Sequence, residues 1–213
     1  MARTVRTDSL GAAWASVAGR ILEEGAPSSY DGLPILELAH VVIEIAQPDP
    51  DDEFIAEHGD PERLAWMRAN FTDHARVAAL GDADSYATRL YDYEHTGRDQ
   101  IAWVVERLRR DPASRSATIT TFQPLTDTNY IPCVSLLDFW LPDGALELVI
   151  YAHSIDFGAK GYGNLVELAE VQRHVATQLD APMGRLLMTV KSAHIYQTEQ
   201  DYMATILAAW QTR

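Results

Sequence analysis

Three short stretches of this sequence carry side chains suited to covalent or acid–base chemistry. Cys133, the sole cysteine, follows Tyr130-Ile131-Pro132 and opens an apolar run. A thiolate there would be a strong nucleophile. A free thiol near its reference pKa of about 8.5 is mostly protonated at neutral pH, however, and needs a cationic neighbour. Most free cysteines are small buried hydrophobes, and position alone does not separate the two readings. The second stretch, Ala152-His153-Ser154-Ile155-Asp156, runs into a loop holding Gly158, Gly161 and Gly163 and then reaches Asn164. Glycines let a backbone approach a ligand closely. Asn164 stands where it either caps a helix or reads a ligand, since its amide both donates and accepts. In the third stretch, Ser192-Ala193-His194-Ile195-Tyr196, a strand places His194 and Tyr196 on one face. Two such groups hold a sugar hydroxyl or satisfy each other.

The elements that must position these residues follow from periodicity. Leu10, Trp14, Val17, Ile21 and Leu22 form one helical stripe between a Ser9 cap and Gly25. LPILELAHVVIEI, residues 33–45, reads as a strand or bent pair, and QPDPDDE as a loop. Helices are expected over 61–80, 99–110, 164–179 and 201–210, with Pro61 in a first turn and Ile101, Val104, Val105 and Leu108 as a buried stripe. The β-rich runs are ATITTF, CVSLLDFWL, ALELVIYAHSI and residues 185–196, with a turn at Pro142-Asp143-Gly144. Mixed strands and helices with no linker or repeat predict one α+β or mixed-sheet domain over residues 1–213.

Composition narrows the function classes. The 213 residues are 47% apolar and carry a net charge of −14. That length buries a real core. The acidic balance opposes non-specific binding to nucleic acid or anionic membrane, though not a small anion held by local cations. One cysteine excludes a disulfide framework and a multi-cysteine zinc site, so no metal is expected. With no run of 18 apolar residues or signal-like start, the reading is a cytoplasmic protein.

Taken in order, the chemistry-bearing stretches resemble the thymidylate synthase superfamily. The run of Pro132-Cys133 and a strand, His-Ser-x-Asp at 153–156, Asn164 and Ser-Ala-His-Ile-Tyr at 192–196 matches its order and spacing. Arg98-Asp99-Gln100-Ile101 and Asp111-Pro112-Ala113-Ser114-Arg115 look like its D-Q-I and D-P-x-S-R segments. Tyr86-Ala87-Thr88-Arg89-Leu90 looks like the Y-x-x-R-L of its short archaeal-type members. The likeness is good from Tyr86 to the end and weak before it.

The resemblance implies a thymidylate synthase fold and a sheet-mediated homodimer. It also implies transfer of a one-carbon unit from 5,10-methylenetetrahydrofolate to C5 of a pyrimidine nucleotide. Cys133 would attack C6, Asn164 would read the base, and His194 with Tyr196 would hold the ribose hydroxyl. Asp156 would orient the folate and its water, and Glu62 would be the general base. Ser154, His153 and Arg115 would meet the phosphate, Arg115 from across the dimer. Asn164 favours uracil over cytosine, so methylation of dUMP leads. A 5-hydroxymethylase of a uridine or cytidine nucleotide and a non-catalytic nucleotide-binding dimer are the alternatives.

Several positions depart from the family's pattern. Arg115 is followed by Ser116 rather than a second arginine, His153 replaces an arginine, and APSSYDGLPI lacks the early phosphate arginine. Val134 and Asp138 replace a His and a Gln, and Glu62 falls one place early in E-R-L-A-W. Either Arg89, Arg98 or Lys160 supplies the missing charge, or the substrate carries less charge than a nucleoside monophosphate or an altered sugar. Each charged hydrogen bond lost removes about 1.5–3 kcal/mol.

Overall fold

The computed structural model describes residues 3–128 and 130–213. Its centre is a seven-stranded mixed sheet. The N-terminal strand β1 (Arg3–Thr7) runs parallel to the far half of β3 (Leu33–Ile45), and β2 (Ala26–Tyr30) pairs antiparallel with the near half. From β3 the order continues through β9 (Met183–Tyr196), β8 (Leu146–Asp156), β7 (Val134–Trp140) and β6 (Ala117–Thr120). β8 and β9 are parallel, so their connection must cross over the sheet, and α6 (Gly161–Leu179) makes that crossing.

The helices that cover the sheet are made by their apolar stripes. In α1 (Leu10–Glu24), Leu10, Trp14, Val17 and Ile21 are fully buried, and the Ser9 hydroxyl accepts the Ala12 N–H at the N-cap. Burial of each such side chain contributes about 1.5–3 kcal/mol. The helix α5 (Gln100–Arg110) buries Ile101, Val104, Val105 and Leu108, as its spacing predicts, under an Asp99 cap. At the C-terminus α7 (Gln200–Gln211) is short and buries Met203 and Ile206. No helix among the described residues is long and apolar enough to cross a membrane.

Several features differ from the sequence reading, β1 among them. β2 pairs with β3 through a tight turn at Asp31 and Gly32, φ 50° and 77°, a conformation that suits a two-residue hairpin. A six-residue α2 (Glu53–His58) follows the acidic loop, capped by Asp52. The helix expected over 61–80 is only α3 (Pro61–Thr72). Beyond it, Ser85 Oγ donates to the Asp73 carbonyl and accepts the Ala75 N–H, folding the chain back into a ribbon of β4 (Arg76–Val77) and β5 (Ala83–Asp84). Local side-chain bonds outcompete helix continuation there. A short α4 (Tyr86–Tyr91) comes next. Finally, α6 starts at Gly161 with Lys160 as its N-cap, so Asn164 lies inside the first turn and is not the cap.

Candidate functional site

A cleft of about 510 Å³ opens where the C-terminal ends of β8 and β9 meet the start of α6. Parallel strand ends are common ligand sites because the crossover helix leaves a crevice there. The sheet brings residues far apart in sequence to one face. Asp156 pairs in register with His194, Ser154 with Ser192, and His194 with Glu37.

Cys133 lies one residue before β7 and borders the cleft. Its carbonyl accepts the His153 N–H at 3.0 Å, and the next residue, Val134, donates its N–H to the Tyr86 hydroxyl at 3.0 Å. Burial pushes the thiol pKa up. The Lys160 charge and a hydrogen bond with Tyr130 pull it down, while Asp156 pushes it up.

Asp156 uses one oxygen to accept the N–H groups of Gly158 and Ala159, at 3.0 and 3.2 Å. Burial raises its pKa against the opposing pull of His194 and those N–H groups. The loop after it is pinned by Trp14 Nε1, which donates to the Phe157 carbonyl. The loop glycines serve packing rather than ligand approach. A Cβ at Gly158 would meet Glu199 Cβ at 2.8 Å, and one at Gly163 would meet Met67 Cβ at 3.1 Å.

Asn164 is buried, and its Nδ2 donates to the Lys160 carbonyl at 3.1 Å. That bond fixes the amide and leaves Oδ1 and the second Nδ2 hydrogen for a ligand. His194 and Tyr196 pack ring edge to face, 5.3 Å between centroids, and His194 Nδ1 bonds the Ser154 hydroxyl at 3.3 Å. The two residues border the cleft without pairing with each other through a hydrogen bond. Burial lowers the pKa of His194, and burial and Lys191 lower that of His153, so both stay neutral near pH 7. His153 Nδ1 lies 3.4 Å from Ser135 Oγ.

Seven of the expected residues thus share one cleft: Cys133, His153, Ser154, Asp156, Asn164, His194 and Tyr196. Two do not. Glu62 is exposed in the first turn of α3, and the α3 residues that border the cleft are Trp66, Met67 and Asn70. Arg115 is exposed in the turn after α5. Of the three substitute cations, only Lys160 borders the cleft. Arg98 is exposed elsewhere, and Arg89 is committed to Asp127 in a bidentate pair at 2.7 and 2.8 Å. Tyr30 and Asp31 close the cleft from the β2–β3 turn, a contribution the sequence reading missed. An Asp-Gly pair is a hairpin signal that would have placed them.

Comparison with known proteins bears directly on this cleft. The family model described as thymidylate synthase matches residues 52–212. A Methanosarcina barkeri protein named "Putative thymidylate synthase" is 30% identical, over 96% of this chain and 94% of its own length. A protein of the same name from Methanothermobacter thermautotrophicus is 27% identical over 92% and 95%. A deoxyuridylate hydroxymethyltransferase of Bacillus phage SP01 is 33% identical over 51% of this chain and 29% of its own length. The chain belongs to the thymidylate synthase family.

Proposed function

We propose that this protein transfers a one-carbon unit from methylenetetrahydrofolate to C5 of a pyrimidine nucleotide, with dUMP as the preferred acceptor. The observation that carries this reading is the convergence of Cys133, Asp156, Asn164, His194 and Tyr196 on one cleft in a chain of this family. Pyrimidine C5 is a poor nucleophile until C6 is saturated. Addition of the Cys133 thiolate to C6 moves the ring electrons toward C5 and O4. The Asn164 amide suits that charge: it donates to O4 and accepts from N3–H, a pattern uracil matches and cytosine does not. The Tyr196 hydroxyl and the His194 ring face a sugar hydroxyl, and Ser154 and His153 lie on the phosphate side.

The residues fit a flat heterocyclic donor. Trp66 and Leu80 form an aromatic and apolar wall, and Asp156 keeps one oxygen to accept ring N–H groups. Bound methylenetetrahydrofolate would supply the carbon unit. Asp156, a weaker acid than an exposed carboxyl, would organise water beside the donor. Glu62 serves as general base in this reading only if α3 shifts on binding. Arg115 joins the phosphate site only through a homodimer. Trp140, Val149 and Tyr151, all 37–40% exposed on β7 and β8, offer an apolar sheet face for it. Light scattering on the active protein then gives twice the chain mass, and an active monomer would refute the dimer.

Similarity to a deoxyuridylate hydroxymethyltransferase favours one second reading, in which the transferred carbon ends as hydroxymethyl. Incubation with labelled methylenetetrahydrofolate and separate nucleotides distinguishes the two. Dihydrofolate with a methylated uracil product supports methylation. Tetrahydrofolate with a hydroxymethyl product overturns it. Bound nucleotide with no product from any pyrimidine overturns both and leaves a binding protein.

A further inference from the structure

Burial and the Asp156 carboxyl oppose ionisation of Cys133, and a hydrogen bond with Tyr130 favours it. Tyr30 from β2, Tyr86 from α4, Tyr130 from its own segment and Tyr196 from β9 present phenols to it, and Asp156 from β8 presents a carboxyl. A negative sulfur raises the pKa of all four phenols. His153 and His194 are held neutral by burial. Arg89 is spent on Asp127.

Among the described residues that border the cleft, Lys160 is the one fixed cation. Its backbone is anchored. The N–H donates to the Asp156 carbonyl at 3.1 Å, and its carbonyl accepts both the Asn164 N–H and Nδ2. Its ammonium lies 5.5 Å from the Trp66 ring centre, so the side chain is laid along the cleft wall. The charge stands beside the first turn of the 19-residue α6, whose dipole adds positive potential there.

We propose that Lys160 is the positioning cation of this site, stabilising from the start of α6 the Cys133 thiolate that forms for attack. The sequence offered Lys160 only as a substitute for a missing phosphate cation, not as a partner of the thiol. The reaction Lys160 serves rests on the function proposed above; its effect on the thiol does not.

With one cysteine in the chain, a thiol reagent reports this site alone. The test is the pH dependence of iodoacetamide alkylation for the wild type and for Lys160→Met, Lys160→Gln and Lys160→Arg. Lys160 is exposed, so these variants fold, as thermal unfolding will verify. Removing the charge moves the alkylation midpoint up by about one pH unit and slows alkylation at pH 7 about tenfold. Lys160→Arg restores the midpoint and the rate to within about twofold. Wild-type midpoints in the Met and Gln variants overturn the proposal, as does an Arg variant that behaves like Gln. If the midpoint moves as expected while no pyrimidine exchanges its C5 hydrogen, Lys160 keeps this role and the one-carbon reading falls.

Discussion

Replacing Asp127 with alanine removes the bidentate partner of a guanidinium that has almost no access to water. The Arg89 and Asp127 side chains are 2% and 6% exposed. Arg89 Nη1 and Nη2 donate to the Asp127 carboxylate at 2.8 and 2.7 Å, Nε donates to the Asp84 carbonyl, and Nη1 also reaches the Thr121 carbonyl. Exposed pairs are worth about 0–1 kcal/mol. Removing one partner of a buried pair instead costs about 3–5 kcal/mol, because a charge is left without compensation. With a urea slope of about 2–3 kcal/mol/M, the unfolding midpoint of Asp127→Ala drops by roughly 1–2 M. Asp127 also accepts the Gln123 N–H, so the segment leading to Cys133 loosens and the folded variant alkylates faster. The double variant Arg89→Met/Asp127→Leu recovers part of the loss, since no unpaired charge remains, although the Asp84 and Thr121 carbonyls and the Gln123 N–H lose these partners. A loss below about 1 kcal/mol in Asp127→Ala, with unchanged alkylation, would refute the idea that this pair holds the approach to the nucleophile.

Other perturbations follow from the same contacts. Tyr86→Phe leaves the Val134 N–H without its acceptor next to Cys133, so urea unfolding should show a loss of about 1–3 kcal/mol. Stability should fall as pH drops below about 6.5. Burial keeps His153 and His194 lowered in the folded chain, so the unfolded chain takes up those protons first. Asp156, raised by burial, works in the opposite sense nearer the carboxylate range. Urea midpoints at pH 7.5 and 5.5 measure this, and a double His153→Asn/His194→Asn variant should flatten the difference. Asn164→Asp replaces a donor with an acceptor. It should lower kcat/KM for the uracil nucleotide at least tenfold and improve the ratio in favour of cytosine. An unchanged ratio would remove Asn164 from base reading.

The parts of the fold readable from sequence are those whose burial imposes a period. The stripes of α1 and α5 and the β-branched strands β3, β7, β8 and β9 all face a core. β2 was not readable because Ala-Pro-Ser-Ser-Tyr is exposed throughout and carries a proline at the sheet edge. The end of α3 was hidden for another reason. It depends on Ser85 bonding back to Asp73, a contact between residues twelve apart that no local pattern contains. Within the site, strand registry explains why Asp156 and His194 share one face while lying 38 positions apart, and motif order anticipated that meeting. Trp66 and Asn70 reach the cleft through the packing of α3 against the start of α6, which spacing alone does not reveal, whereas Lys160 was a candidate from its place in the loop. The loop glycines looked like a ligand cradle, and packing against Glu199 and Met67 explains two of them.

Covalent activation of the pyrimidine ring by Cys133 labilises the C5 hydrogen, so release of tritium from C5-labelled dUMP in the presence of methylenetetrahydrofolate measures it. The wild-type protein should release tritium and Cys133→Ser none above background, since its oxygen cannot form the adduct at a useful rate, with its thermal unfolding close to that of the wild type. Release by Cys133→Ser at a comparable rate would contradict it.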